Sequence, residues 1–211
     1  MSTRRLGVQF EDLAKQDHAA RLAMWVFLAS ELLLFAALFA LYTCYRAMYP
    51  ADFARAAAHN NLALGTINTF ILITSSATVA LALWAVRGGL RRLTTGLLVF
   101  SIGCGVLFLV LKGIEYGQHF HEGFYPGVSY RNVELPGHGA QLFFTIYYLI
   151  TGLHAFHVVI GLAVLIWLAA GSWRGQFAPD DHLRFELGTL YWHLVDIVWI
   201  FVWPLLYLLH S

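Results

Sequence analysis

Two histidines lie in the middle of an apolar segment, at a spacing that could serve metal or haem chemistry. His154 and His157 are three residues apart, so a helix would carry both on one face. Because both belong to the same segment, a bis-histidine haem would need ligands from elsewhere. We therefore favour a structural hydrogen-bonding role. Gly152 and Gly161 flank the pair and would allow close contact with another helix.

Three polar residues recur along the last apolar segment. Glu186, His193 and Asp196 are spaced so that they would form one stripe along a helix. The stripe must face protein, because charged side chains that face lipid are costly. One helix offers too few ligands for a metal ion. The spacing leaves two interpretations, structural hydrogen bonding with the preceding helix and a proton relay. We favour the first, and expect His154 or His157 to hydrogen-bond the stripe.

Two further acids lie within apolar segments. Glu31 has no cation within one turn. It could exchange protons, contact a neighbouring subunit, or be a neutral acid that is hydrogen-bonded inside the bundle. We predict that it is uncharged at neutral pH, because a charge at membrane depth costs at least about 2.5–3.5 kcal/mol. Lys112 and Glu115 are three residues apart, which predicts an ion pair within one helix. Tyr116 follows, and we expect its hydroxyl group at the membrane interface.

Apolar segments long enough to cross a membrane must carry these residues. The hydrophobic fraction is 59% and the charged fraction is 12%, against about 25% charged residues in soluble domains. A span takes about 20 apolar residues as a helix, and open strands would leave backbone groups unsatisfied in lipid. The sequence therefore predicts an all-α, polytopic membrane bundle. A polar segment, 1–21, precedes a five-helix domain, 22–211, with helices at about 22–45, 62–86, 93–118, 140–170 and 187–209.

The distribution of lysine and arginine predicts the orientation of this bundle. Of the 13 such residues, four lie on one side, namely Arg46, Arg55, Lys112 and Arg131. The other nine lie on the side of the N-terminus, namely Arg4, Arg5, Lys15, Arg21, Arg87, Arg91, Arg92, Arg174 and Arg184. The N-terminus should therefore face the cytoplasm, or the matrix if the source is an organelle, and the C-terminus the outside. Tyr207 lies where interfacial aromatic residues are expected.

Charge and motifs exclude several other function classes. The net charge is +1, so nothing indicates a nucleic-acid partner. The chain contains no Gly-x-Ser-x-Gly motif, no phosphate-binding loop and no Cys-x-x-Cys motif. Nothing in the sequence brings together a nucleophile, a base and oxyanion donors.

In this order, the polar residues resemble subunit III of the haem-copper oxidases, the family of cytochrome c oxidase subunit III. Residues 151–161, TGLHAFHVVIG, resemble the family's Gly-x-His-x-x-His-Val-x-x-Gly segment, and residues 191–199, YWHLVDIVW, resemble its Trp-His-Phe-x-Asp-x-x-Trp signature. Shorter matches are Ser30–Glu31, Asn68–Thr69 with Ser75–Ser76, Glu115–Tyr116, and Glu186 upstream of the signature. The resemblance runs from about Trp25 to the C-terminus and is to the five-helix bacterial form. The seven-helix mitochondrial form has two more helices, and lipids fill the cleft between its two-helix and five-helix bundles.

The resemblance implies a non-catalytic subunit of an enzyme complex that reduces O2 to water and pumps protons in aerobic respiration. The haems and copper would belong to subunits I and II, so no cofactor is expected in this chain, although bound phospholipid is. Cytochrome c would donate electrons to the complex, or quinol in some branches. The chain would cross the bacterial cytoplasmic membrane several times and pack against subunit I, supporting proton uptake and lipid or oxygen access. The residues expected to serve as buried polar contacts are Glu31, Glu115, His154, His157, Glu186, His193 and Asp196.

Other functions remain open at this point. With the same fold, the chain could be the E-type accessory protein of a nitric oxide reductase or subunit III of a quinol oxidase. From a different class, His154, His157 or His193 could bind haem in a small membrane haem protein. The intramembrane carboxyl groups could also indicate a proton channel or small transporter, although the sequence shows no inverted repeat.

Overall fold

The protein is mostly helical over the residues that its computed structural model describes, which are residue 8 and residues 10–132, 135–179 and 181–208. The helices are α1 (Leu13–Met48), α2 (Pro50–Ala57), α3 (Leu62–Arg87), α4 (Arg91–His121), α5 (His138–Trp173) and α6 (Leu183–Trp203). A π-helical turn, Pro204–Leu208, continues α6, and a short 3-10 turn, Gly127–Ser129, lies in the loop before α5.

Five of these helices are long and apolar enough to cross a membrane. They are α1, α3, α4, α5, and α6 together with its π-helical turn. This confirms the predicted all-α bundle with five membrane-spanning helices. The short helix α2 lies in the polar link between the first two spans and begins at Pro50, a residue whose fixed φ suits the first turn of a helix.

The first span begins earlier than predicted. The polar segment was expected to end at residue 21, but α1 already begins at Leu13, where the Asp12 side chain accepts a hydrogen bond from the Lys15 backbone amide at 2.7 Å. Lys15, in the first turn of α1, also forms an exposed ion pair with Glu11, which precedes the helix. Charged residues therefore continue the helix beyond the apolar stretch. The predicted segment's residues 1–7 and 9 lie outside the described residues.

The four helices α3, α4, α5 and α6 form a closed ring in which each packs against two neighbours. Helix α1 lies outside the ring against α5 and α6, and α2 packs against α5. The centre of the ring holds Trp192 and Trp199, both fully buried. The indole N–H of Trp192 donates to the Ser75 hydroxyl and that of Trp199 to the Thr69 hydroxyl, each at 3.0 Å. The small hydroxyl residues of α3 therefore form a helix contact face.

Glycines make room for the central indole ring of Trp192. A Cβ atom at Gly161 of α5 would lie 2.7 Å from this ring, and one at Gly105 of α4 would lie 2.9 Å from it. Both distances are shorter than van der Waals contact. These glycines therefore allow α4 and α5 to approach the bulky residue on α6.

We predict that Gly161→Ala destabilises the bundle by about 1–3 kcal/mol, because the new methyl group overpacks the site around Trp192. The measurement is thermal unfolding of the purified chain in detergent. Gly103→Ala is the matched control, since a Cβ atom there meets nothing within 4 Å. That change should stabilise the helix by about 0.5–1 kcal/mol. Equal effects of the two substitutions would contradict this account of the core.

Candidate functional site

Glu31 and His157 form a pair that joins α1 to α5. The Glu31 carboxyl oxygen Oε2 lies 2.9 Å from His157 Nε2, and their side chains are 19% and 8% exposed. The ring of Phe35, one turn after Glu31, packs edge-on against the imidazole with 5.3 Å between centroids. The carboxyl group therefore faces the interior of the bundle and has a partner on a different helix.

The second imidazole nitrogen of His157 determines how protons are arranged in this pair. Nδ1 lies 2.8 Å from the backbone carbonyl of Leu153, and a carbonyl can only accept, so Nδ1 carries a proton. Nε2 then either accepts from a protonated Glu31 or, in an imidazolium ion, donates to a carboxylate. One exchangeable proton lies between the two groups in each arrangement, and the pair as a whole is neutral. The prediction that Glu31 itself is uncharged stays a prediction.

A second polar cluster, which we call the Lys112 network, joins α4 and α5 to the end of the last span. Lys112 Nζ lies 3.0 Å from Glu115 Oε2, 2.8 Å from the Tyr147 hydroxyl and 2.5 Å from the Tyr207 hydroxyl. Both tyrosines donate to Glu115 Oε1, at 2.9 and 2.5 Å. All four side chains are buried. The structure thus confirms the predicted ion pair and places two tyrosines in it.

Donors and acceptors balance in the Lys112 network. The ammonium group of Lys112 has three N–H donors, and three oxygen atoms surround it. The two tyrosine hydroxyl groups accept from the ammonium and donate to one carboxylate oxygen, which has two lone pairs for them. The network therefore suits an ionised Lys112 and an ionised Glu115, whose charges cancel inside the bundle.

His154 is enclosed by aromatic rings rather than by polar groups. Both of its ring nitrogens are buried without a hydrogen-bond partner among the described residues. The rings of Trp199 and Phe108 lie 5.0 and 5.6 Å from the imidazole, centroid to centroid. Across the described residues, no group of three or more histidine, cysteine, aspartate or glutamate side chains could hold a metal ion.

The prediction that His154 or His157 hydrogen-bonds the stripe on the last helix is wrong. His157 pairs with α1 instead, and His154 points at Trp199 and Phe108. The physical reason is that side chains three residues apart on an α-helix diverge by about 60°, which here is enough to direct them to different neighbours.

The three stripe residues also have different neighbours. Glu186 pairs with Arg21 of α1 at 3.3 Å, and His193 Nδ1 lies 2.8 Å from the Ser76 hydroxyl of α3. Asp196 is 3% exposed, and neither of its carboxyl oxygens has a hydrogen-bond partner among the described residues. The favoured expectation, hydrogen bonding between the stripe and the preceding helix, is therefore wrong, because α6 turns these side chains towards α1 and α3.

Two tyrosines occupy places that the sequence did not indicate. Tyr207 was expected at the interface but is 1% exposed and binds Lys112. Tyr116 was also expected there, and its hydroxyl group instead lies 2.6 Å from the Thr151 hydroxyl. Tyr147 was not singled out at all. The signal that could have found it is the ammonium group of Lys112 at membrane depth, since its ion pair with Glu115 uses one of its three N–H donors and the other two require oxygen atoms from neighbouring helices.

The comparison with known proteins agrees with the polar motifs of these helices. Residues 11–211 match the family model of cytochrome c oxidase subunit III. The chain belongs to this family. The family resemblance that the sequence predicted is therefore confirmed, and with the five apolar helices it makes the chain a multi-pass membrane protein.

Individual relatives support the same assignment. The chain is 32% identical over 142 residues to the cytochrome c oxidase subunit 3 of Marchantia polymorpha, which covers 67% of this chain and 48% of the relative. It is 30% identical over 186 residues to a probable cytochrome c oxidase subunit 3 of Nocardia farcinica, covering 86% and 84%. It is 31% identical over 197 residues to a haem-copper oxidase subunit I+III of Aeropyrum pernix, covering 89% and 22%. The chain spans about half the length of several curated relatives, the Marchantia protein among them.

We predict that Lys112→Met destabilises the chain by about 3–5 kcal/mol, because it leaves Glu115 as a buried charge without a counter-ion. Unfolding of the purified chain in detergent measures the change. The double variant Lys112→Met/Glu115→Gln should recover most of the loss. Lys15→Met, which removes an exposed pair with Glu11, is the control and should cost less than about 1 kcal/mol. Similar losses for the two lysine variants would contradict the role of burial.

We predict that the infrared difference spectrum between the wild-type protein and Glu31→Gln at pH 7 contains the C=O band of a protonated carboxyl group. The reason is that two neutral groups need less solvation in hydrocarbon than an ion pair does. Glu11→Gln, at an exposed ion pair, should instead remove an ionised carboxylate band. Loss of an ionised carboxylate band in Glu31→Gln would show that the pair holds its proton on His157.

Proposed function

We propose that this chain is the non-catalytic subunit III of a haem-copper terminal oxidase of the cytochrome c oxidase type, in aerobic respiratory electron transport. The observation that carries the proposal is the match to the Aeropyrum relative, whose name joins subunits I and III and which aligns with 89% of this chain. A single polypeptide keeps the two regions together in the membrane. In this protein, contact between separate chains would do the same.

The geometry of the bundle supports assembly with other membrane subunits. The Lys112 network and the Glu31–His157 pair connect helices of this chain to one another. By contrast, α1 leaves most of its apolar surface uncovered, with Trp25, Leu33 and Met48 each more than 60% exposed. Such a surface is suited to lipid or to another membrane subunit. In this proposal subunits I and II bind the haems and copper. This chain packs against subunit I and supports proton uptake and the access of lipid or oxygen.

The Glu31–His157 pair is the feature of this chain best suited to support proton uptake. It holds one exchangeable proton at membrane depth, which can lie either on the Glu31 carboxyl group or on His157 Nε2. The aromatic ring of Phe35 covers the imidazole, which limits access of water. Bound phospholipid and a path for oxygen would belong to the uncovered apolar faces.

The remaining parts of the proposal concern location and electron donor. The bacterial relatives support a location in the bacterial cytoplasmic membrane, and the excess of arginine and lysine on the side of the N-terminus supports an orientation with the N-terminus inside. Cytochrome c is the proposed donor to the complex, in keeping with the family description.

We predict that affinity purification of this chain from gently solubilised membranes recovers subunits I and II and a haem spectrum, because the chain is held in a complex with them. Mass spectrometry identifies the subunits and visible spectroscopy the haems. The same purification from cells with an untagged chain controls for non-specific capture. Recovery of the chain without any haem-bearing companion, or with the catalytic subunit of a nitric oxide reductase, would overturn the proposal.

A further inference from the structure

Asp196 differs from the other acidic residues that the sequence singled out. Glu31 binds His157, Glu115 binds Lys112 and two tyrosines, and Glu186 pairs with Arg21. The carboxyl oxygens of Asp196 have no hydrogen bond to any described residue, although the side chain is 3% exposed. A buried carboxyl group without a partner is costly, so its place in the fold needs an explanation.

Asp196 is the inner end of a polar group that leads to the surface of the bundle. Ser76 of α3 is its polar neighbour, although the geometry between the two side chains is not that of a hydrogen bond. The Ser76 hydroxyl lies 2.8 Å from His193 Nδ1. The other ring nitrogen of His193, Nε2, is neither bonded to a described residue nor fully enclosed, since the residue is half-buried. Asp196, Ser76 and His193 therefore form a row, which we call the polar row, that ends at an open imidazole nitrogen.

The open end of the polar row lies in the groove between α3 and α6. Ile200 follows Asp196 by one turn and His193 by two turns, so all three share a side of α6. Ile73 precedes Ser76 by one turn on α3. Both isoleucines are about half exposed, at 45% and 46%. By this helix periodicity we expect the groove to have an apolar rim on both helices, with the imidazole of His193 between them.

Depth prevents water or lipid headgroups from reaching His193 Nε2. The last span covers Leu183–Leu208, so His193 lies 10 residues from its start (193 − 183) and 15 from its end (208 − 193), or about 15 and 22 Å along the helix. Hydrocarbon offers no hydrogen bond there. Exposed hydroxyl groups on other parts of the bundle need no partner from another chain. Ser30 and Thr74, for example, donate hydrogen bonds to backbone carbonyl groups of their own helices.

We propose that the groove between α3 and α6 is the face that docks against a transmembrane helix of subunit I, and that a hydrogen-bonding side chain of this helix binds His193 Nε2. The inference rests on the proposed function, which supplies the companion subunit. Apolar side chains of the helix cover Ile73 and Ile200, and the polar contact fixes its register. The polar row then has a hydrogen-bond partner at its outer end, beyond the contact between Ser76 and His193.

A photo-crosslinking residue placed at Ile200 or Ile73 in the complex, in native membranes, tests the docking face. Val106 of α4 and Val159 of α5 are matched controls, because they are also about half exposed but lie on helices across the ring. Illumination should join subunit I to this chain from Ile200 and Ile73, and only lipid from the controls. Adducts of subunit I from Val106 or Val159, with only lipid adducts from Ile200 and Ile73, would overturn the inference and leave the proposed function intact. Absence of subunit I from the purified complex would overturn both.

Two substitutions of His193 test the polar contact itself. We expect His193→Phe, which keeps a ring but loses both nitrogens, to reduce the subunit I retained through detergent washing by about three- to tenfold, the range for one hydrogen bond between membrane helices. His193→Gln can still hydrogen-bond and should retain most of it. Thermal unfolding of the isolated chain measures separately what each variant costs through the Ser76 contact within the bundle, which distinguishes a loss of docking from a loss of folding. Equal retention of subunit I by both would overturn the hydrogen bond.

Discussion

Hydrocarbon offers no hydrogen bonds, and this constraint decides how the helices of the bundle meet. A polar side chain at membrane depth can be stabilised only by a partner in protein. Lys112 and Glu115 meet the constraint with each other and with two tyrosines, which ties α4 to α5 and to the end of the last span. Glu31 meets it through His157, which fixes α1 against the ring. These few polar contacts determine which helix faces pack together, because apolar surfaces alone could pack in many arrangements.

The sequence predicts the spans well because hydropathy is a local property of the chain. It predicts their ends less well, since a charged helix such as residues 13–21 continues beyond the apolar stretch under its own Asp12 cap. The pair Lys112–Glu115 is also local, and its prediction is confirmed. Pairs between helices are different. Which helix faces His157 depends on the packing of the whole ring, and the sequence alone gives no measure of that.

The central tryptophans explain why hydroxyl residues and glycines occur on particular helices. An indole ring is large and apolar but has one N–H group that needs an acceptor. Ser75 and Thr69 of α3 supply these acceptors, while Gly105 and Gly161 leave room for the ring of Trp192. The dense hydroxyl pattern of α3 and the glycines of α4 and α5 therefore serve two residues on α6.

One short stretch of α6 connects this centre to the outer surface. Trp192 and Trp199 are seven residues apart, so they point the same way and fill the ring. His193 is turned about 100° from Trp192, and Asp196 lies between the two directions. The same turns thus place indole rings inside, a carboxyl group at the contact with α3, and an imidazole at the rim. Because the indole rings and the imidazole lie on the same turns of α6, the packing of the ring also sets the direction in which His193 points.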